Sequence, residues 1–432
     1  MSALEIIVVG AGLGGLGAAI ALQLAGHHAI VLEAAPALGE VGAGIQLLPN
    51  SSKILRGWGV LDKVHPSKIC ETDACNILDW RGHLISSMNM ESASREYGSP
   101  FHDLHRADLH KALYDRAIEL GAEVHVGCEV TGIKFDSANR GAIVSTKSST
   151  QPEWKADLVV GADGLHSQCR RLISGKEEVP RHTGDMAYRL LLDADEVRSD
   201  PEMGPILDEK AVTYWYGPGA HVVTYALRQR KHLNMVLLVP DDMPENGPST
   251  LAGQVDEMQN LFKDWDPRSN RPASVKMQIS PSLEIVHMGS DRVMASGAGM
   301  SFEDGAVLGL CLKSVTKQSS TEDKRRALGL YEKCRISRTN AIVDRGNVQQ
   351  ELNHLDDGPE QIARDEKMRA YAAIEEQCTR ANNTDWSTLP TTLSQGLQPG
   401  NDPLVWRRFG AGQWLLSYVP EEDVAKVLSS RL

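Results

Sequence analysis

Gly10-Ala11-Gly12-Leu13-Gly14-Gly15 is the stretch that decides the fold. It is a G-x-G-x-x-G run with a short apolar segment at 5–9 before it and an Ala/Leu-rich segment at 16–25 behind it. The first segment has the length and character of a buried strand, and the second reads as a helix that Gly26 closes. A second apolar run at 29–32 follows at once, completing a strand-helix-strand crossover of about 30 residues. Glycine is required in such a turn because the chain reverses tightly and a pyrophosphate must come within hydrogen-bonding distance of bare backbone. The helix start behind it offers unpaired N–H groups and the positive end of a dipole.

Glu33 stands at the end of the second strand, 18 residues past Gly15, where a carboxylate can accept hydrogen bonds from an adenosine ribose. Gly10, Gly12, Leu13, Gly14, Gly15 and Glu33 are therefore the first candidate cofactor-binding residues. A glycine-rich turn with a surface glutamate is the plain alternative for each piece alone; the order strand, turn, helix, strand, acid favours a dinucleotide. Nothing in this unit separates NAD from FAD.

Outward from this unit, a helix is expected from near Arg106 to Gly121, followed by strands at 123–126 and 158–160. Between 178 and 240 the texture changes to strands, at 187–192, 212–216, 221–227 and 233–239, divided by Gly, Pro and Asp. Helical periodicity returns at 301–313 and 324–343. The charge-rich stretch 344–379 reads as a solvated helix, and 382–402 as a linker ahead of a short element near 414–418. Ser301 and Asp304 have the spacing of a capping box. The expected organisation is a first part of one domain at 1–177, a β lobe at 178–285, a shortened completion of the first domain with helices at 286–380, and a C-terminal tail at 381–432.

The bulk numbers exclude several classes. The formal net charge of -12 over 432 residues disfavours nucleic acid or an anionic membrane surface as partner. Seven scattered cysteines without a C-x-x-C pair suggest neither a disulfide framework nor a metal site. No window approaches the roughly 18 apolar residues of a spanning helix. A cytoplasmic location is the expectation.

A second motif narrows the cofactor. Gly161-Ala162-Asp163-Gly164 follows an apolar strand and continues to Ser167 and Arg170, giving G-A-D-G-x-x-S-x-x-R. With the glycine loop, it makes the chain resemble the flavoprotein monooxygenases of the salicylate and para-hydroxybenzoate hydroxylase type. Residues 38–45, ending in Gly44 and Ile45, resemble the segment that passes the flavin, and residues 105–109 the segment whose arginine, here Arg106, reaches the cofactor. The stretch from Gly297 and Ala298 resembles the helix whose N-terminus faces the flavin ring.

The resemblance implies an α/β chain: a Rossmann-like FAD-binding domain with an inserted, mostly antiparallel β-sheet substrate lobe and a helical C-terminal region. It adds Gly44, Arg106, Asp163, Gly164, Gly297 and Ala298 to the cofactor candidates, with FAD bound and NADPH or NADH as a transient co-substrate. It implies hydroxylation of a small aromatic substrate with O2 through a flavin C4a-hydroperoxide. His221 and Tyr225 alternate on one strand in an H-x-x-x-Y spacing similar to a phenol-binding pair of salicylate-type enzymes. Arg189 resembles an arginine that pairs with a substrate oxyanion. Their implied roles are Arg189 as anchor, His221 as a base near its ordinary pKa, and Tyr225 as an orienting donor. Ordinary half-buried strand residues are the alternative.

The chain also departs from this family. A G-D-A-x-H-x-x-x-P motif belongs just before the last helix start, yet residues 289–297 read Gly-Ser-Asp-Arg-Val-Met-Ala-Ser-Gly. A deletion there would weaken FAD retention, so a catalytically impaired remnant is the second expectation and an NAD-dependent dehydrogenase the third.

Overall fold

The structure, a computed structural model, describes residues 2–39, 43–136, 141–176, 184–242, 250–252, 255–270, 284–287, 296–380, 401–407 and 411–429. The glycine-rich turn joins strand β1 (Glu5–Val9) to helix α1 (Leu13–Leu24), and β2 (His28–Leu32) returns parallel to β1. With β8 (Glu123–His125) and β12 (Leu158–Gly161) they form a four-stranded sheet in the order β12-β1-β2-β8, parallel throughout. Near-continuous Ile, Val and Leu in β1 and β2 are what a parallel sheet covered on both faces requires.

The second layer is an eight-stranded sheet with the order β17-β18-β13-β16-β15-β14-β5-β6. Its central strands are β13 (Asp185–Asp193), β14 (Ala211–Gly217), β15 (Ala220–Leu227) and β16 (His232–Pro240), each containing the strand expected from the sequence. β17 (Thr250–Ala252) and β18 (Glu284–His287) extend one edge. The other edge is built by β5 (Ala74–Asp79) and β6 (Leu84–Asn89), which lie within the 1–177 stretch read as part of the first domain. All pairings in this sheet are antiparallel except β14 with β5. β3 (Gly44–Leu47), β7 (His102–His105) and β4 (Ile69–Glu71) make a small antiparallel sheet in the order β3-β7-β4, and β9 (Val130–Asp136), β10 (Gly141–Thr146) and β11 (Glu153–Ala156) a third.

Helices α2 (Pro49–Gly57), α3 (Arg106–Glu119), α4 (Gln168–Ser174), α5 (Gly297–Leu312), α6 (Thr321–Asn353), α7 (Pro359–Arg380) and α8 (Pro420–Ser429) complete the described elements the site depends on. α5 lies against α1 so closely that Cβ atoms at Gly305 and Gly309 would come within 3.2 and 2.8 Å of the backbone of Ala18 and Ala21. Only small residues permit that approach, and it fixes the α5 start beside the glycine loop.

Two expectations change. α5 begins at Gly297, a full turn before the Ser301–Asp304 spacing suggested, and no side chain caps it. Ser301 lies inside the helix, bonded to the Ala298 carbonyl, while Asp304 pairs with Arg335 at 2.6 Å. The charged 344–379 stretch is also not simply solvated, because Arg364 and Asp365 pair with each other in the interior beside Met368 and Tyr371.

The described part of the segment read as a tail is docked. Glu303 of α5, 0% exposed, accepts two bonds at 2.7 Å from Arg338 and one at 2.7 Å from Asn50, and pairs with Arg335 at 2.8 Å. Arg338 in turn donates to the carbonyls of Trp414 and Leu415 and stacks over the Tyr418 ring at 3.8 Å. One buried carboxylate thus ties α2, α5, α6 and the C-terminal segment together. Glu303→Ala leaves two buried guanidinium groups without their shared anion, and a loss of about 3–5 kcal/mol is expected in urea unfolding. An unfolding midpoint equal to wild type would contradict this role.

Candidate active site

Gly10 leaves β1 with φ +101°, and a Cβ there would lie 2.5 Å from the carbonyl oxygen of Ala162. A Cβ at Gly15 would overlap the Gly10 carbonyl oxygen. Gly12 differs: nothing lies within 4 Å of where its Cβ would be, so it faces open space. As N-cap of α1, Gly12 has no side chain to cap the first-turn amides, and that turn carries no acidic residue. The amides of Leu13, Gly14 and Gly15 have no intrahelical acceptors and, with the dipole, favour an anion.

The loop is held from two sides. The Glu33 carboxylate accepts from Ala11 N–H at 2.7 Å and from Ala35 N–H at 2.8 Å. The buried His110 of α3 donates Nε2–H to the Ala11 carbonyl at 2.7 Å, because a carbonyl only accepts. His110 stands one residue past the 105–109 segment and was not among the expected site residues.

The second motif lies beside the first. β12 pairs with β1, and Ala162 N–H donates to the Val9 carbonyl at 2.8 Å. Asp163 accepts from Ser167 Oγ at 2.6 Å and from Cys169 N–H at 2.9 Å, which caps the turn into α4, while Gly164 takes φ +75°. Arg106, half-buried, opens α3; its N–H donates to the Ala43 carbonyl, and its neighbour His105 pairs with Gly44 across β7 and β3. Gly297 and Ala298 form the bare first turn of α5, whose Ser301 lies 3.1 Å from a Cβ placed at Gly14. Two helix N-termini therefore lie side by side, one of them facing open space at Gly12.

These residues fit an adenine dinucleotide: an uncapped helix start, a side-chain-free approach and an acid at the end of the second strand are all present. The motif expected to be missing at 289–297 lies almost wholly outside the described residues, as do positions 40–42 of the segment resembling the flavin-passing one.

Arg189, His221 and Tyr225 share one face of the large sheet. Arg189 pairs across β13 and β16 with Val236, Val236 pairs with Val223, and Val223 lies between His221 and Tyr225 on β15. The Tyr225 ring packs on Gly44, where a Cβ would come within 2.5 Å of it. Gly44 N–H donates to Oδ1 of Asn234 at 2.9 Å. Asn234, 0% exposed and opposite Tyr225 on β16, has no partner for Nδ2 among the described residues. It too was missed, although a lone amide inside the apolar run 233–239 was a readable signal. Asp103 on β7 is buried, bonded by Thr72 and Gln46, and burial pushes its carboxyl up to about 7.

His221 corrects an expectation. It is buried among Tyr214, Tyr216 and His354, and burial holds its imidazole well below the ordinary value rather than near it. Burial pushes the Tyr225 hydroxyl far above its usual range, so it is a neutral donor at every working pH. Among the described residues no group of three or more His, Cys, Asp or Glu could hold a metal ion, and no helix is long and apolar enough to cross a membrane.

Residues 3–224 match the family described as FAD binding domain. The chain is similar to the FAD-dependent monooxygenase OpS4 of Beauveria bassiana (strain ARSEF 2860), with 36% identity over 398 residues, 87% of this chain and 91% of that protein. It is similar to a 3-hydroxybenzoate 6-hydroxylase of Klebsiella oxytoca, with 31% identity over 361 residues, 79% of this chain and 86% of that one. Its fold is like that of a salicylate hydroxylase solved as a substrate complex, with a TM-score of 0.72 and 16% identity over 99% of this chain and 98% of the other.

The loop geometry separates two glycines. Gly12→Ala meets no protein atom, so unliganded stability is expected to stay within about 1 kcal/mol of wild type, while FAD affinity falls at least tenfold, about 1.4 kcal/mol. Gly15→Ala is expected to lower stability itself. FAD titration followed by fluorescence quenching, with urea unfolding of both variants, checks the pair; unchanged FAD affinity in Gly12→Ala would refute the reading of its open side.

Proposed function

The chain belongs to the FAD-dependent monooxygenases, and on that footing we propose that it spends NADPH or NADH to hydroxylate a small phenolic or aromatic acid with O2. The observation that supports this most is the common sheet face of Arg189, His221 and Tyr225, joined to the cofactor side through Gly44. Family membership disfavours the NAD-dependent dehydrogenase and weakens the remnant reading.

The glycine loop residues Gly10, Gly12, Leu13, Gly14 and Gly15 take the pyrophosphate, and Glu33 takes the ribose. Arg106, Asp163 and Gly164 border the same cofactor, while Gly44 and the α5 start at Gly297 and Ala298 border its flavin. FAD, when bound, supplies the electron transfer from the nicotinamide and the activation of oxygen.

The protein's own part is positioning and proton handling. Arg189 offers a planar fork of donors that matches an oxyanion and keeps its charge at every working pH. Tyr225, locked neutral, donates to that oxygen and never competes with it as an anion. His221 accepts the phenolic proton, and the apolar face of Val223, with Val236 packed against it, excludes water. A phenolate held in this way is electron-rich at the ring carbons to be oxidised.

Protein reconstituted with FAD is expected to consume O2 and oxidise NADPH or NADH faster when given one of salicylate, 3-hydroxybenzoate or 4-hydroxybenzoate. Arg189→Met is expected to raise KM for that phenol about 10- to 100-fold, the loss of one charge-assisted contact. An oxygen-electrode trace that no phenol accelerates would reject the proposed substrate class.

A further inference from the structure

His221 cannot keep the proton it accepts, because it is 2% exposed and its protonated form is disfavoured by burial. Its Nδ1 is 2.6 Å from Nε2 of His354, at the C-terminal end of α6, with ring centroids 4.9 Å apart. His354 is held by its own backbone: its N–H donates to the Gln350 carbonyl at 3.1 Å, and its carbonyl accepts from Gly219 N–H at 3.0 Å. Unlike His221, it is partly exposed.

Other described groups lie around the pair. From β14, the Tyr214 and Tyr216 rings lie 6.3 and 6.4 Å from His221, and Arg364 of α7 lies 5.4 Å over Tyr216. Gln350, one turn before His354, bonds Asp185 of β13. Among the described residues neither imidazole has an ion-pair partner, and His354 is likewise held low, to about 4, by burial. With no carboxylate to compensate it, the pair has no means of storing a positive charge. It can pass one through, because each ring has two nitrogens and accepts on one while releasing from the other.

We propose that His354 is the outer half of a two-imidazole relay that carries the phenolic proton from His221 to solvent. This rests on the proposed hydroxylation of a phenol. The phenol O–H bond breaks, its electron pair stays on oxygen, and the proton joins His221 Nε2. The Nδ1–H bond of His221 breaks as its proton joins His354 Nε2, and His354 releases the proton of its own Nδ1 to water. One phenol becomes one phenolate and one solvated proton, and both imidazoles end neutral in the opposite tautomer. Return of a proton along the same path when product leaves resets them. His354 touches no substrate and acts only through His221.

The test uses full-length FAD-loaded protein and whichever of the three hydroxybenzoates most accelerates wild-type NADPH or NADH oxidation. Phenolate formation on mixing is followed by its ultraviolet absorbance in stopped flow, without reductant. His354→Gln keeps an acceptor for His221 but cannot relay, so phenolate formation is expected to slow about 100-fold. Its rate should climb with pH, as hydroxide must then take the proton, with FAD content and phenol affinity unchanged. Added imidazole is expected to restore His354→Ala. Wild-type speed in His354→Gln overturns the relay while leaving the hydroxylase intact. Loss of FAD in both variants without imidazole rescue reduces His354 to a structural prop and also overturns it. If no phenol accelerates the wild type, the hydroxylase reading fails and takes the relay with it.

Discussion

Backbone pressed against backbone at Gly10 and Gly15 is the constraint from which the rest of the molecule follows. The first has Ala162 against its α-carbon and the second has Gly10 itself, so β1, α1 and β12 meet with no side chain between them. That contact brings the glycine loop and the Asp163-Gly164 turn to one edge of the parallel sheet and leaves Gly12 facing outward. Glu33 and His110 then hold the peptide groups flanking Ala11. The loop is thus shaped before any ligand arrives, which lowers the ordering cost of binding.

Specific contacts register the second layer against the first, beside the apolar cluster that joins Leu48 and Met300 to Tyr214, Val223 and Tyr225. Gly44 N–H bonds Asn234 while its α-carbon receives the Tyr225 ring, so the strand carrying the candidate substrate residues is registered against the cofactor side. Asp108 of α3 is shared by Lys68 at 2.7 Å and Arg228, at the end of β15, at 2.9 Å. Glu303, at the heart of α5, brings the C-terminal segment back onto the same helix. A chain built in this way has its candidate flavin-side and substrate-side residues set by the interface rather than by either layer alone.

Much of this was legible in the residues. The glycine loop could be read because sterics leave no other residue at Gly10 or Gly15, and the lobe strands because their apolar runs end at Gly, Pro and Asp. What escaped reading depends on distant partners. His110 meets Ala11 across 99 positions, Asn234 meets Gly44 across 190, and His354 meets His221 across 133. No local pattern encodes such pairings. The depressed His221 pKa follows from burial, which its sequence neighbours do not reveal. The long helices misled for a related reason: a charge run looks the same whether its ions face water or, like Arg364 and Asp365, pair inside. The capping-box spacing at Ser301 was real in sequence, but the α1–α5 contact extends the helix one turn earlier and gives Asp304 to Arg335.

In the proposed binding mode the loop and Glu33 grip the adenylate half of FAD. Thermal unfolding with FAD, FMN, ADP-ribose or NAD at equal concentration tests it most directly, since FMN carries the flavin without the adenylate. FAD at 100 times its Kd is expected to stabilise by about 2.7 kcal/mol, ADP-ribose to give a smaller shift, and FMN to give none. A shift with FMN as large as with FAD, or none with FAD, would contradict it.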